Sequence, residues 1–404
     1  GYGVHSRSII RSLISNKRFA DKYDLRLIAT PWGSTPQNAL DPTNPDDKVL
    51  LDMNLENNQI KVQPDISVQI TIPSEFQKIG KFSIGITAGT EASLAPVAFV
   101  QNADKVDLIL TPSQFTKDVL QHTKIDERNK DTNTIIKTVQ VEKPIEVLFE
   151  PLDLHVWNKG NIVNGELKKT LDGIKEPFAF LFVGHYLQGN LGHDRKDVGM
   201  LIKTFFDTFK RKAVKNYPAL ILKTSGAGFS ITERDQIIDK VQQIREMVRE
   251  QGYTGILPNV YLLNGELTDA EMNTLYNHPK VKAFVSFSHG EGCGLPLLEF
   301  TTTGKPVIAP NYSGPIDFLN PEYSILLPGK MIKIDRSAVN EWIPDGSEWF
   351  QVSYPYASQI LNDVYEKYDK YLEKSRKHIK YTKENFSMEK MSEKFLEILE
   401  KYVT

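Results

Sequence analysis

The densest run of chemically capable residues is Ser286-Phe287-Ser288-His289-Gly290-Glu291-Gly292-Cys293-Gly294-Leu295-Pro296-Leu297-Leu298-Glu299. Gly290, Gly292 and Gly294 let a backbone approach a ligand closely, and Pro296 suits the first turn of a helix. Such a turn aims backbone N–H groups at an anion. Glu291 in the loop and Glu299 in the helix reach one extended ligand from different heights, and carboxylates make strong hydrogen bonds with hydroxyls. A ligand with phosphates between two polyhydroxylated ends uses all of these groups, and a nucleotide-sugar has that layout. The bland alternative is a Gly-rich helix start with an unrelated surface glutamate at each end.

The elements that must position this run alternate along the chain. Short apolar segments at Leu25 to Thr30, Asp65 to Thr71, Phe82 to Thr87 and Val106 to Leu110 read as buried parallel strands, with helices at His5 to Leu13 and Ser113 to Leu120. Residues 34–64 and 121–143 are polar and aperiodic, which predicts loops. A second alternation has strands at Phe178 to Val183, Ala219 to Thr224, Val260 to Leu263, Val281 to Ser286 and Pro306 to Ala309. Helices separate them at Val198 to Lys212, Ile231 to Gln251, Asp269 to Tyr276 and Leu295 to Thr303. The fold class is therefore α/β, with two Rossmann-like doubly wound units facing across a cleft at the carboxyl ends of their strands. The expected division is a first unit over 1–150, a second unit over 151–354 beginning with a polar linker, and packing helices over 355–404. The opening Gly1-Tyr2-Gly3 reads as a turn of the kind that follows a strand, so a strand is expected upstream.

With 49 Lys plus Arg against 51 Asp plus Glu, no global basic field exists to hold nucleic acid by counterion release. The single cysteine, Cys293, cannot form an internal bridge, which fits a reducing compartment. No apolar run approaches the roughly 18 residues of a membrane helix, so a cytoplasmic location is expected. There is no Asp-x-Asp metal motif, and the eight histidines show no ligand spacing, so neither a metal nor another cofactor is expected.

The form EGCGLPLLE, after an apolar strand and before GKPVIA, resembles the donor-binding signature of the retaining GT-B glycosyltransferases of family GT4. FLFVGHYLQGNLGHDRKDVGMLIKTF is similar to that family's phosphate loop, and NVYLLNGELTDAEMNTLYNHPKVKAFVSFS to the run-up to its glutamate motif. GYGVHSRSI, KFSIGITAGTEASLAP and VDLILTPSQFTKDVL resemble its N-terminal segments. The resemblance implies a nucleotide-diphosphate sugar, a UDP- or GDP-sugar, transferred with retention to a glycan, lipid or protein acceptor. By the same analogy Glu299 holds the ribose hydroxyls, and Glu291 with the Gly292, Cys293, Gly294 and Leu295 backbone holds the sugar. Lys196 neutralises the diphosphate, while Gly3, His185, Arg195 and Lys223 complete the donor site; Glu291, Lys196 and His5 are the catalytic candidates.

Two departures stand out. Many relatives carry Arg after the strand-ending glycine, where this chain has Gly184-His185, so the second phosphate cation is His185, Arg195 or absent. Many also carry a histidine near the end of an N-terminal strand, where this chain reads Val68-Gln69-Ile70. His5 faces the cleft or is a surface or capping residue. Thr90-Glu91 binds an acceptor hydroxyl or caps a helix. Cys293, beside the expected phosphates, gains a lowered pKa from the helix start, or is a small residue tolerated in a tight turn. The rival reading is a catalytically silent GT-B domain serving as a scaffold or glycan-binding module within a longer chain or assembly.

Overall fold

The computed structural model of the protein describes residues 2–31, 38–129, 131–226 and 230–403. Gly1 and residues 32–37 of the acidic loop lie outside the described residues. Two all-parallel sheets dominate. The first runs in the order Ile66–Ile70, Phe82–Ile86, Leu108–Thr111, Ile145–Val147. The second has six strands, Ile325–Leu327, Val307–Pro310, Val281–Val285, Ala179–Val183, Ala219–Lys223 and Val260–Leu263.

The chain enters the second sheet at Ala179–Val183, builds outward through Ala219–Lys223 and Val260–Leu263, then returns to lay Val281–Val285 on the opposite side. Strand order therefore reverses between 179–183 and 281–285. Loops leaving the carboxyl ends of strands at such a switch point bind ligands in open α/β sheets. Here those loops carry His185 to Asp197 and Ser286 to Gly294.

The apolar runs become strands because both faces of each sheet are covered. Phe180 and Phe182 enter one core with Phe205, Phe206, Phe209 and Leu361, while Ala179 and Leu181 enter another with Leu298 and Phe300. Each buried phenylalanine contributes about 1.5–3 kcal/mol by leaving water. On the first sheet, Ile84, Ile86, Leu108 and Leu110 pack on Ile9 and Leu13 of the first helix, Tyr2–Ser15. They also pack on Phe395 and Leu399 of the last helix, Met388–Tyr402. Helix Tyr354–Glu366 instead supplies Ala357, Leu361 and Val364 to the second sheet's core, so the C-terminal helices span both units.

Several local expectations are corrected. The opening Gly-rich turn is helix: Tyr2–Ser15 is helical, with Gly3 in its first turn. Leu25 to Thr30 is no strand; it makes a single bridge, Leu27 to Asn54, and lies near the surface with Ile28 38% exposed, without partners for a full ladder. The loop 34–64 contains helix Pro45–Asp52, started by Asn44, whose side chain accepts from the Asp46 amide. The segment 121–143 holds a hairpin of Ile125–Arg128 and Ile135–Val139, and the polar linker contains helix Glu166–Asp172. A second hairpin, Gly329–Lys333 with Glu348–Val352, stands outside the six-stranded sheet. Among the described residues, no helix is long and apolar enough to cross a membrane.

Candidate functional site

The loop after Ala179–Val183 ends in a tightly held corner. Asp197 adopts the left-handed conformation at φ 51°, ψ 37°, which costs a non-glycine residue about 1–2 kcal/mol. Its Oδ2 accepts from the Tyr354 hydroxyl at 2.7 Å, and Asp194 Oδ2 accepts from the Val198 amide at 3.0 Å, tying the start of helix Val198–Phe209. Burial pushes the Asp194 carboxyl up to about 6. The corner presents Arg195 and Lys196 to the second loop, whose His289 amide donates to the Arg195 carbonyl at 2.9 Å.

Four charges meet there. Lys196 Nζ is in close ion-pair contact with Glu291 Oε1, and Arg195 reaches Glu291 Oε2 at 3.6 Å and Glu91 Oε1 at 3.3 Å. Burial pushes the Glu291 carboxyl up, but Lys196 and then Arg195 outweigh it and leave the group below its usual value. Arg195 is raised because Glu91 and Glu291 outweigh burial, whereas burial prevails at Lys196 and lowers it. His185 is lowered by burial first and then by Lys196 and Arg195; its Nδ1 lies 3.2 Å from Ser225 Oγ. Glu91 belongs to the loop after the first sheet's Phe82–Ile86, so both units contribute to the cluster.

The glycines have a second use. A Cβ on Gly290 would lie 1.8 Å from the Glu91 carbonyl oxygen, and one on Gly292 would lie 2.0 Å from that of Ala88. Ser113 Oγ donates to the Gly292 carbonyl at 2.5 Å. The motif thus docks against the first unit's backbone. Gly294 alone of these three takes a left-handed conformation, φ 91°, where it precedes helix Leu295–Thr301.

Glu299, 7% exposed in that helix, accepts from the Tyr276 hydroxyl at 2.7 Å, and burial pushes its carboxyl up to about 8, aided by Asp269 and Glu150. His5 is buried, 3.3 Å from Glu150 Oε1 through Nδ1; it is neither a surface nor a capping residue. Burial opposes ionisation of Glu150, and His5 outweighs it. Cys293 is half-buried and adjoins the same glutamate. Of its two readings, the lowered pKa is overturned: burial first, then Glu150, Glu291 and Asp317, hold the thiol well above its usual value. Lys223 Nζ donates to the Gly265 carbonyl at 2.7 Å. Gly3 is helical rather than part of a ligand loop.

Several polar groups escaped the residue-by-residue reading. The Tyr2 hydroxyl joins Thr87 Oγ1 and the Ala88 amide, each at 3.0 Å. Asp194, Asp197 and Tyr276 support the residues above, and His289 stacks on Trp349 with centroids 4.4 Å apart. Asp194 and Asp197 flank Arg195-Lys196 in the sequence, which is the one local signal they carry. Among the described residues, no group of three or more His, Cys, Asp or Glu could hold a metal ion. A surface hollow of about 350 Å³ lined by Lys117, Glu146 and Lys394 includes none of the site residues.

Neither a protein-family model nor a curated protein matches the chain. Solved structures do. A glycosyltransferase from Rickettsia africae is 14% identical at TM-score 0.59, covering 98% of this chain and 94% of its own. Anabaena HepE, solved with UDP and glucose, is 13% identical at TM-score 0.53, over 79% of this chain and 72% of its own. A sucrose-phosphate synthase from Thermosynechococcus elongatus is 13% identical at TM-score 0.52, over 79% and 67%. The shared architecture is GT-B, two Rossmann-like units facing across a cleft.

Proposed function

We propose that this chain is a GT4-type retaining glycosyltransferase that moves a sugar from a nucleotide-diphosphate sugar, a UDP- or GDP-sugar, to an acceptor hydroxyl without a metal ion. The observation that carries this reading is the convergence of Glu291, Lys196 and Arg195 beyond the strand ends at the switch point of the second sheet. A diphosphate is the stronger partner for two adjacent cations, because it offers several anionic oxygens in place of the carboxylates they now hold. Its arrival would free Glu291 for the sugar hydroxyls. As the glycosidic bond breaks, negative charge grows on the leaving diphosphate, and Lys196 and Arg195 stabilise it from fixed positions. Glu299 would take the ribose hydroxyls. Retention follows from the GT4 resemblance, with positioning and electrostatics in place of an enzymic nucleophile.

Residues 1–150 would carry the acceptor and 151–354 the donor. HepE, with UDP and glucose bound, is a GT-B precedent for such a donor. We propose a cytoplasmic reaction; a single thiol, Cys293, fits a reducing compartment.

The test is a thermal-shift and calorimetric screen against UDP, GDP, ADP, TDP and their sugar conjugates, with Glu299→Ala as control. A ligand at a hundredfold excess over Kd stabilises the native state by about 2.7 kcal/mol, so the true donor class raises Tm and the mutant loses the shift. Failure of every nucleotide to bind the folded chain would favour a silent scaffold. Transfer is expected to persist in EDTA, and its abolition would overturn the metal-free mechanism.

A further inference from the structure

His289 lies inside the glutamate motif and has no role in the mechanism above. It is fully buried, 0% exposed, and clamps two segments together. Its amide donates to the Arg195 carbonyl at 2.9 Å, and its carbonyl accepts from the Phe350 amide at 3.0 Å. Both ring nitrogens are directed at carbonyl oxygens: Nδ1 at Phe350, 2.7 Å, and Nε2 at Gly192, 3.1 Å. A neutral imidazole has one N–H and one lone pair, so in that state one ring nitrogen would set its lone pair against a carbonyl oxygen. Only the imidazolium donates to both.

A counter-charge is in place. Asp197 Oδ1 lies 4.0 Å from Nε2, is buried, and has no hydrogen-bond partner of its own. The other groups around the ring are His193 from the same loop, Trp349 stacked on its face, and Tyr354, which donates to Asp197 Oδ2. Asp194 acts on Asp197 from the same loop. Burial opposes a charge on either group alone, lowering the imidazole and raising the Asp197 carboxyl, so the pair holds one proton between ring and carboxyl and no net charge. Moving that proton to the ring leaves the net charge of the pair unchanged, and it alone gives each carbonyl a donor.

We propose that His289 is a positioning residue that works as an imidazolium paired with Asp197, pinning the loop that bears Arg195 and Lys196 to strand Glu348–Val352. This rests on the donor-site reading for its consequence, since the cations so fixed are the ones assigned to the diphosphate. The proton count does not depend on that reading. When the ring loses its proton, its contact with Gly192 turns repulsive and the cation loop loosens, so affinity for a nucleoside diphosphate falls on the alkaline side.

Nitrogen-15 NMR of the histidine rings in the full chain without ligand, assigned with His289→Gln, reads the proton count directly. At neutral pH both His289 nitrogens should be protonated, and Asp197→Asn should leave one protonated. A wild-type ring with a single proton, or a doubly protonated ring in Asp197→Asn, overturns the proposal. With UDP as probe, His289→Gln should bind about tenfold more weakly, the loss expected for one charge-assisted hydrogen bond, and should lack the alkaline decline of the wild type. Unchanged affinity and pH profile in that variant overturn the positioning role. A wild-type chain that binds no UDP overturns its donor consequence, while the ring protons are still decided by NMR.

Discussion

The carboxyl of Glu299 holds the proton that the unfolded chain releases near 4.5, because burial pushes it up to about 8 in the native state. The sign of the linkage follows. The native state binds more protons than the unfolded state between those values, so this group's contribution to stability falls as pH climbs from about 4.5 to about 8. Glu299→Gln removes the ionisation while keeping an acceptor for Tyr276. Its Tm should exceed that of the wild type above pH 8, with a gain on the order of 5 kcal/mol, and its nucleotide affinity should drop. Chemical denaturation at pH 6 and pH 9 checks this; an equal stability difference at both would contradict the assigned burial effect.

At the scale of elements, the turn from Ser286 to Gly294 packs directly on the first unit's backbone. Gly292 abuts Ala88, and its carbonyl accepts from Ser113. Gly292→Ala puts a methyl within 2.0 Å of a backbone oxygen, which no side-chain rotation relieves. Overpacking of this kind costs about 1–3 kcal/mol, and here the relief must come from moving one unit against the other. Transfer should fall by more than tenfold with a lowered Tm. Gly165→Ala, with open space at its Cβ, is the control and should change neither. Full activity in Gly292→Ala would mean that the close approach is dispensable. Helix Met388–Tyr402 shows the same dependence on distant partners: its apolar stripe has the 3.6-residue period of any amphipathic helix, which says that a face is buried but not against what.

For the whole molecule, that helix joins the last residues of the chain to the first sheet. Phe395, 1% exposed, packs with Phe19, Ile84 and Leu108. Phe395→Ala should cost about 3–5 kcal/mol, and hydrogen exchange should quicken in Phe82–Ile86 and Leu108–Thr111, some three hundred residues away in sequence. Faster exchange confined to the six-stranded sheet would contradict this packing.

Much of the architecture was legible in the residues. Runs such as FAFLFV are apolar on both faces, Ser113 and Thr268 cap helices through their side chains, and Pro296 opens one. Those signals are local, encoded in backbone preference and in the period of burial, and they sufficed for two parallel sheets and for the loop that carries Glu291. The helix Pro45–Asp52 and the two hairpins were not legible, since each element spans at most eight residues, too short for a period to stand out from its polar flanks. Which charges meet was not legible either. Lys196 finds Glu291, Arg195 finds Glu91, and Glu299 finds Tyr276 across long stretches of chain. Whether a carboxyl is ionised depends on those distances and on desolvation, both of which vary steeply over a few ångströms. The sequence by itself determined the strands of the two parallel sheets, the turn that carries Glu291 and the reactive residue types. The tertiary structure alone decided their partners and their charge states, because Coulomb energy and burial belong to atoms brought together in space and not to their order along the chain.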